Sequence, residues 1–199
     1  MTAQPQEKKN ITPAEYLAME RTSLDIKHEF FNGEIFAMVG AKINHVRINA
    51  NLTREIGNKF KTGKSPCEVL PNDMRVKIET GYVYPDIVIY CGDATFEDNE
   101  FDTLTNPVVI IEILSDSTEA FDRGKKFAYY RAISTLQEYI LVSQEEYLVE
   151  QFTRSDAGTW EYRSYEDADH ILKMESINCE LPLSEIYWDV EFKLEQKTL

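Results

Sequence analysis

The sequence predicts an α/β protein in which a mixed β-sheet is flanked by α-helices. Three features carry this prediction: a helix signal followed by a hairpin signal near the N-terminus, a helix with one apolar face over 43–60, and apolar runs of strand length at 83–90 and 108–114. With 199 residues and no internal repeat or linker, the chain is expected to form a single domain over 1–199.

The first 40 residues predict a short helix and a β-hairpin. Thr12 precedes Pro13, and Glu15 follows three positions after the threonine, which is the pattern of a capping box with proline in the first turn. Further along, Asn32 and Gly33 separate two apolar-rich arms. Both residues of such a turn need a positive φ, so this pair predicts two antiparallel strands.

Residues 43–60 predict an amphipathic helix, because apolar or small side chains recur there at spacings of three and four. The predicted apolar face consists of Ile43, Val46, Ala50, Thr53, Ile56 and Phe60. Strands are then predicted at 67–78, 83–90 and 108–114, and another helix at 120–133. The segments QEYILV, YLVEQFTR and WEYRSY predict a β-meander, and LPLSEIY predicts a short helical turn.

Composition argues against two classes of protein. Apolar runs reach only strand length, so we expect no membrane span, and the N-terminal segment lacks the apolar core of a signal peptide. Cys67, Cys91 and Cys179 lie far apart without a CxxC pair, which argues against a zinc site and a disulfide framework. We therefore expect a cytoplasmic protein whose cysteines are small apolar side chains in or near the core.

The net charge of −14 speaks against loose binding to a polyanion, but the charge is segregated along the chain. Residues 41–77 hold eight Lys and Arg against three acids, residues 78–122 hold eleven acids and no base, and residues 123–136 hold four bases and no acid. One basic surface is therefore compatible with phosphate binding. The alternative is an ordinary solvated helix face.

Two acidic residues interrupt the apolar strands. Alternation along VVIIEILS places Glu112 on the same face as Ile110 and Leu114, where an ionised carboxylate is costly unless it is paired, protonated or bound to a metal. Asp86 follows Pro85 in VYPDIVIY. If the two strands are neighbours, Asp86 and Glu112 converge and favour a shared proton or a cation such as Mg²⁺. The alternatives are a turn position for Asp86 and a structural ion pair for Glu112.

At these residues the sequence resembles the PD-(D/E)xK nuclease superfamily, and more closely the Uma-type family of restriction endonucleases within it. The superfamily pattern is Pro-Asp on one strand and acid-x-Lys on the next, matched here by Pro85-Asp86 and Glu112-Ile113-Leu114. The Uma-type match extends through EFFNGEI, NHVRINANL, YPDIVIY, PVVIIEILSDST, DRGKKFAYYRA and LQEYILV. The resemblance covers about residues 12–190 and implies a restriction endonuclease-like fold with its core there.

The resemblance also implies a metal site and a catalytic lysine. Asp86 and Glu112 would bind Mg²⁺ or Mn²⁺, with the carbonyl of Ile113 as a third ligand. Leu114 occupies the position of the superfamily lysine, and the Uma-type pattern offers Lys126 on the following helix instead. Lys126 would orient or activate the attacking water and offset charge on the phosphorane.

Glu29 and His45 match recurring family positions, for which the resemblance implies a supporting or substrate-contacting role. The alternatives are an exposed hairpin residue for Glu29 and a polar residue in the first helical turn for His45. Asp122 would hold Lys126 across one helical turn. Lys125 points about 100° away from Lys126 on the helix and is less suited to the catalytic role.

The function that the resemblance implies is a Mg²⁺-dependent DNA endonuclease that hydrolyses phosphodiester bonds and forms a homodimer. Arg47, Arg54, Lys59 and the loop KTGKSP are the candidates for phosphate contact. One alternative is a catalytically inactive nuclease-fold module for binding or regulation, which Leu114 and the net charge favour. Another is glycoside hydrolysis by two carboxylates, which would leave Lys126 without a purpose.

Overall fold

The computed structural model describes residues 11–38, 40–115 and 118–192. The helices are α1 (Pro13–Glu20), α2 (Ile43–Gly63), α3 (Glu119–Phe121), α4 (Phe127–Tyr130) and α5 (Leu183–Ile186), with a π-helical turn at Asp122–Lys126 and a 3₁₀ turn at Glu175–Ile177. The strands are β1 (His28–Phe31), β2 (Glu34–Ala37), β3 (Cys67–Pro71), β4 (Arg75–Ile78), β5 (Gly81–Val83), β6 (Ile87–Cys91), β7 (Thr103–Leu104), β8 (Val109–Leu114), β9 (Glu138–Ser143), β10 (Val149–Arg154), β11 (Trp160–Tyr165), β12 (Ile171–Met174) and β13 (Cys179–Pro182).

The strands form two mixed sheets and a small antiparallel pair, which confirms the predicted α/β class with a mixed sheet flanked by helices. One sheet has the order β2-β1-β5-β4-β7, the larger one has the order β11-β10-β9-β8-β6-β3, and β12 pairs with β13. Within the larger sheet β8 and β9 are parallel, and the other neighbours are antiparallel. The predicted meander is confirmed as β9 to β11, and the predicted final turn is α5.

The N-terminal helix and hairpin form as predicted. The Thr12 hydroxyl accepts a hydrogen bond from the Glu15 backbone N (3.3 Å), and the Glu15 carboxylate accepts one from Thr12 N (2.9 Å). Asn32 and Gly33 have φ values of 49° and 85°, so the turn closes the antiparallel pair of β1 and β2. The segment 1–10, where no signal peptide is expected, lies outside the described residues.

Two of the predicted strands are wrong in their bounds, and the error moves Asp86. The predicted strand 83–90 is divided into the end of β5 and β6, which belong to different sheets, and the predicted strand 67–78 is divided into β3 and β4. Pro85 has no N–H to give to a ladder, so pairing stops there. Asp86 therefore lies at the junction between the two sheets, where its side chain is not part of either pleat.

Alternation along β8 separates two apolar layers. Val109, Ile111 and Ile113 pack on the layer that contains α2, whereas Ile110 and Leu114 pack on the layer that contains α4 and the smaller sheet. Both layers are made of fully buried aliphatic and aromatic side chains, so the strand reads as a continuous apolar run. Glu112 lies on the same face of β8 as Ile110 and Leu114, as the sequence predicts. This face is the one toward α4.

The predicted helix over 43–60 is confirmed as α2, and its predicted apolar face is correct at Ile56 and Phe60 but wrong in its first half. The side chains that α2 buries against the larger sheet are Ile48, Leu52, Ile56 and Phe60. Ile43 and Val46 remain 63% and 52% exposed. The two stripes lie side by side on the helix, and only contact with the sheet decides which one enters the core.

The prediction that the cysteines form no disulfide is wrong for one pair. Cys67 on β3 lies directly opposite Cys91 on β6, and the two sulfur atoms are bonded. Cys179 is a buried free cysteine, as expected. The cytoplasmic location was inferred from unpaired cysteines, so it loses that support and stays a prediction. Within the described ranges, no helix has the length and apolar character needed to cross a membrane.

Candidate active site

The residues that the sequence selected meet in one cavity at the junction of the two sheets. Its volume is about 1130 Å³, and its wall includes Glu29, His45, Asp86, Glu112 and Lys126. These residues come from β1, α2, the segment before β6, β8 and the π-helical turn. Five separate parts of the chain therefore contribute to a single site, and Ile113, the predicted third ligand, also lines it.

Lys126 is buried at the last position of the π-helical turn. Its Nζ lies 2.9 Å from Glu112 Oε1, 3.2 Å from Glu29 Oε1 and 3.7 Å from Asp122 Oδ1. A π-helical turn is often found at functional sites, because the extra residue shifts the side chains that follow it. Lys125 is exposed on the other side of the turn. Lys126, and not the neighbouring Lys125, is therefore the lysine that contacts the acidic side chains of the site.

Glu112 is buried on the α4 side of β8. Its Oε1 accepts a hydrogen bond from the Tyr130 hydroxyl at 2.7 Å, and its Oε2 accepts one from Asp86 N at 3.4 Å. Together with the ammonium group of Lys126, these contacts explain how a carboxylate is tolerated in an apolar strand. Leu114, at the position of the superfamily lysine, packs in the apolar layer beside α4, and the lysine that contacts Glu112 is Lys126 of the π-helical turn.

Burial dominates the protonation equilibria of the cluster. Removal from water raises the pKa of Glu112 to about 8, an effect that Lys126 opposes and Asp86 reinforces. Burial raises the pKa of Asp122 as well, against the influence of Lys126. For Lys126 burial acts in the opposite direction, but Glu112, Glu29 and Asp122 outweigh it, and its pKa lies well above the ordinary value. The cluster is therefore short of positive charge for the number of carboxylates that it contains.

Asp86 is held from both sides. Its Oδ2 accepts a hydrogen bond from Ile113 N at 2.8 Å and lies 3.2 Å from His45 Nε2. Because Asp86 N points to Glu112 in return, the two acids are linked at the edge of β8. The convergence of Asp86 and Glu112, which the sequence predicted from neighbouring strands, is present, and β6 and β8 are antiparallel neighbours. His45 lies in the first turn of α2 and contacts Asp86 instead of solvent alone.

Glu29 points into the cavity from β1 instead of lying exposed on the hairpin. Its Oε1 accepts a hydrogen bond from Tyr84 N at 3.1 Å, in addition to its contact with Lys126. The backbone of the segment between β5 and β6 thus fixes Glu29, and Glu29 in turn contacts the lysine. Asp122 contacts Lys126 across one turn, as predicted, but this pair is buried rather than exposed.

The basic residues predicted on α2 do not form one surface that faces the cavity. Arg47 pairs with Asp189 at 3.8 Å. Arg54 pairs with Glu55 and lies over the ring of Trp188, 5.3 Å from its centroid. Of the three predicted bases, Arg54 is the one that lines the cavity. Contact between this helix and phosphate groups stays a prediction.

Two residues that support the site were not selected from the sequence. Tyr130 donates to Glu112, and Asn49 Nδ2 donates to the backbone oxygen of Asp86 at 3.0 Å. Tyr130 follows Lys126 by four residues, so both side chains lie on the same face of the helix. This spacing indicates that the Tyr130 hydroxyl, as well as its ring, lies near the site. Asn49 offered no such signal, because its partner is a backbone atom 37 residues away.

A mixed sheet with two linked acids beside its inner strands β6 and β8, and a buried lysine on the helical segment that covers them, places the protein in the class with a restriction endonuclease-like fold. A solved structure from Anabaena variabilis ATCC 29413, described as "a putative nuclease belonging to DUF820", matches with a TM-score of 0.74. The match covers 89% of this chain and 97% of that chain, at 17% sequence identity, and it confirms the predicted fold.

The sequence comparisons identify the family. The family model Uma2, described as "Putative restriction endonuclease", matches residues 13–184. Two proteins of Synechocystis sp. (strain ATCC 27184 / PCC 6803 / Kazusa) are similar: "Uncharacterized protein sll1609" is 38% identical over 76% of this chain and 85% of its own length, and "Uncharacterized protein slr1290" is 33% identical over 92% and 94%. The chain belongs to the Uma2 family, as its motifs predicted, and this membership supports a nuclease.

Proposed function

We propose that this protein is a DNA endonuclease that hydrolyses phosphodiester bonds with the help of Mg²⁺ or Mn²⁺. The observation that carries the proposal is the buried Lys126, which contacts Glu112 within a cavity that Asp86 also lines. Two acids and a lysine are the residues that the PD-(D/E)xK pattern requires. Lys126 satisfies the lysine requirement from a helix, although Leu114 replaces the lysine of the strand.

The donor set fits a hard divalent cation. Among residues 11–38, 40–115 and 118–192, no group of three or more His, Cys, Asp or Glu side chains is arranged to hold a metal ion. Mg²⁺ commonly uses one or two carboxylates and keeps several waters, so Asp86 and Glu112 with the carbonyl of Ile113 are a sufficient set. Burial raises the pKa of Glu112, and the neighbouring Asp86 raises it further; a bound cation would favour the ionised form of both acids. When bound, the cation would polarise the phosphodiester and lower the pKa of a bound water.

The side chains of the protein would divide the remaining work. Lys126 would donate a hydrogen bond to the attacking water and offset negative charge that develops on the phosphorane. Glu29 contacts Lys126 Nζ and would restrict its position. His45 contacts Asp86 Oδ2, which requires a proton on Nε2 for a hydrogen bond, and would orient this carboxylate.

We further propose that the protein forms a homodimer in which each subunit cuts one DNA strand. Strand β11 is an edge of the larger sheet, and most of its side chains are exposed. An edge strand of this kind can pair with a second copy around a two-fold axis. Sedimentation velocity of the wild type and of Ser164→Pro tests this, because the register of β11 with β10 turns the N–H of Ser164 away from β10, so that proline removes a donor of the open edge.

The function is tested by two measurements on the same samples. Titration calorimetry with Mg²⁺ and Mn²⁺ measures cation binding, and nicking of supercoiled plasmid measures hydrolysis. We expect Glu112→Gln to lose both, and Lys126→Met to lose nicking while it retains cation binding. Lys125→Met is the matched control, since this lysine is exposed and adjacent.

Each outcome assigns the protein to one class. Saturable binding and nicking that both disappear in Glu112→Gln support the endonuclease. Cation binding without any nicking by the wild type supports the catalytically inactive module, for which the buried Leu114 is the specific evidence. Nicking that survives both Glu112→Gln and Lys126→Met would come from a contaminating nuclease and would contradict the proposed site.

A further inference from the structure

The cavity extends beyond the catalytic residues into a cleft with apolar walls. One wall consists of Phe36, Ala37 and Met38 at the end of the hairpin, and the other consists of Val46 and Ala50 on α2. We call these five residues the apolar cleft. A cavity of about 1130 Å³ is at the upper end of sizes found for sites that enclose a whole small ligand, so it offers more room than one phosphate group requires.

Both walls of the apolar cleft are attached to the catalytic residues. Phe36 is directly opposite Glu29 in the ladder of β1 and β2, so the two side chains emerge on the same face of the sheet, and Glu29 contacts Lys126. Val46 directly follows His45, which contacts Asp86. Phe36 and Val46 are therefore each adjacent to a residue that contacts the proposed catalytic groups.

The apolar cleft is open to solvent. Phe36 and Val46 are about half exposed, with 48% and 52% of their surface accessible. Two large apolar side chains from different elements line the same cavity as the charged cluster, and a half-exposed apolar patch of this kind marks a binding site. The aromatic ring of Phe36 makes an edge contact with Phe31, 5.7 Å between centroids, which fixes the ring while its other surfaces remain accessible.

The charges at the rim of the cavity argue against a ligand that is held by phosphate contacts alone. The basic side chains there are Lys27, Lys42 and Arg54, and each forms an ion pair with an acid: Asp73, Glu145 and Glu55 respectively. Duplex DNA presents mainly phosphates and sugars, and its binding depends on cations that neutralise them. An unpaired nucleotide also exposes the flat face of its base, which stacks on aromatic and apolar side chains.

We propose that the apolar cleft binds an unpaired base next to the scissile phosphate, so that the substrate is single-stranded or locally unpaired DNA. The inference rests on the proposed function and specifies its substrate class. Phe36 stacks on the base, and Val46 and Ala50 contact its other face. Asp86, Glu112 and Lys126 then act on the phosphate.

The test measures binding separately from cleavage. Fluorescence anisotropy in Ca²⁺ compares a labelled single-stranded oligonucleotide with the duplex of the same sequence, for wild type, Phe36→Ala and Val46→Ala. Ile43→Ala and Phe101→Ala are matched controls, because both residues are more than 60% exposed and neither belongs to the cavity wall of the described chain. We expect Phe36→Ala to weaken single-strand binding at least about fivefold, Val46→Ala to weaken it less, and the controls to bind as the wild type does.

The result that overturns the inference is equal or tighter binding of duplex by the wild type, or an equal loss for duplex and single strand in Phe36→Ala. Val46→Ala keeps the test valid if Phe36→Ala disturbs the hairpin, since Val46 is exposed on a long helix. Cleavage of duplex and single strand at equal rates, independent of Phe36, would leave the endonuclease function intact and overturn the substrate class. Preferential binding of the single strand without cleavage in Mg²⁺ or Mn²⁺ would support the cleft and overturn hydrolysis.

Discussion

The buried Lys126 makes the strongest prediction about stability. Lys126→Met keeps most of the side-chain volume and removes the ammonium group that contacts Glu112, Glu29 and Asp122. Loss of one partner from a buried ion pair costs about 3–5 kcal/mol when the remaining group stays charged. Burial raises the pKa of Glu112 to about 8 even with Lys126 present, so without the lysine this group takes up a proton at neutral pH and the cost is limited. Lys126 Nζ is farther from Asp122 than from Glu112, and Glu29 is more accessible to solvent than Glu112. Glu112 also still accepts the hydrogen bond from the Tyr130 hydroxyl. We therefore expect the lower end, about 3 kcal/mol of unfolding free energy.

Urea unfolding monitored by circular dichroism measures this loss, with Lys125→Met as the control. Lys125 is exposed, and a surface substitution of this kind changes the unfolding free energy by less than about 0.5 kcal/mol. Glu112→Gln combined with Lys126→Met should recover part of the loss, because glutamine replaces the buried acid that has lost its partner and needs no change of protonation on folding. Equal midpoints for Lys126→Met and Lys125→Met would refute the reasoning and show that the acids of the cluster do not depend on this ammonium group.

Three further predictions concern other contacts. Tyr130→Phe removes the hydroxyl that donates to a buried carboxylate and should cost about 1.5–3 kcal/mol in chemical unfolding; a change below the experimental error would contradict the hydrogen bond. Asp102, whose pKa is held below its ordinary value mainly by hydrogen bonds from Arg21, contributes stability at neutral pH that is lost as pH falls through the lowered pKa. Asp102→Asn should therefore cost about 1–2 kcal/mol at pH 7, and its unfolding free energy should approach that of the wild type below about pH 4; a constant difference would oppose this. Gly81→Ala places a Cβ 1.7 Å from a backbone oxygen of β1 and should lower stability by more than about 2 kcal/mol, whereas Gly63→Ala, with open space around it, should not destabilise the protein.

Local chemistry explains why much of the fold was predictable. The capping box of α1 joins residues three apart, and the Asn32-Gly33 turn joins neighbouring strands, so both depend on a few consecutive residues. The alternation that placed Glu112 on the face of Ile110 and Leu114 is a property of one strand. These predictions were confirmed because no distant contact could change them.

The errors arose where distant contacts choose between local alternatives. The sequence of α2 contains two adjacent stripes with apolar side chains, and the larger sheet buries the stripe of Ile48, not that of Val46. Val46 and Ala50 lie on the stripe that stays outside the core, and they form part of the apolar cleft. The pairing of Cys67 with Cys91 depends in the same way on the register of β3 with β6, which spacing along the chain does not reveal.

For the site, the sequence by itself determined which residue types are present. They are the aspartate of a Pro-Asp motif, a glutamate within an apolar strand, and a lysine on the helix after β8. Tertiary structure decided their distances. Pairing of β6 with β8 brings Asp86 to Glu112, and the π-helical turn places Lys126 Nζ 2.9 Å from Glu112 and 3.2 Å from Glu29. Glu29 and Lys126 are almost 100 residues apart, so only burial of both between two sheets makes their charges interact. A charge cluster of this kind is a property of the packed molecule, because desolvation, which sets its energies, does not exist in the extended chain.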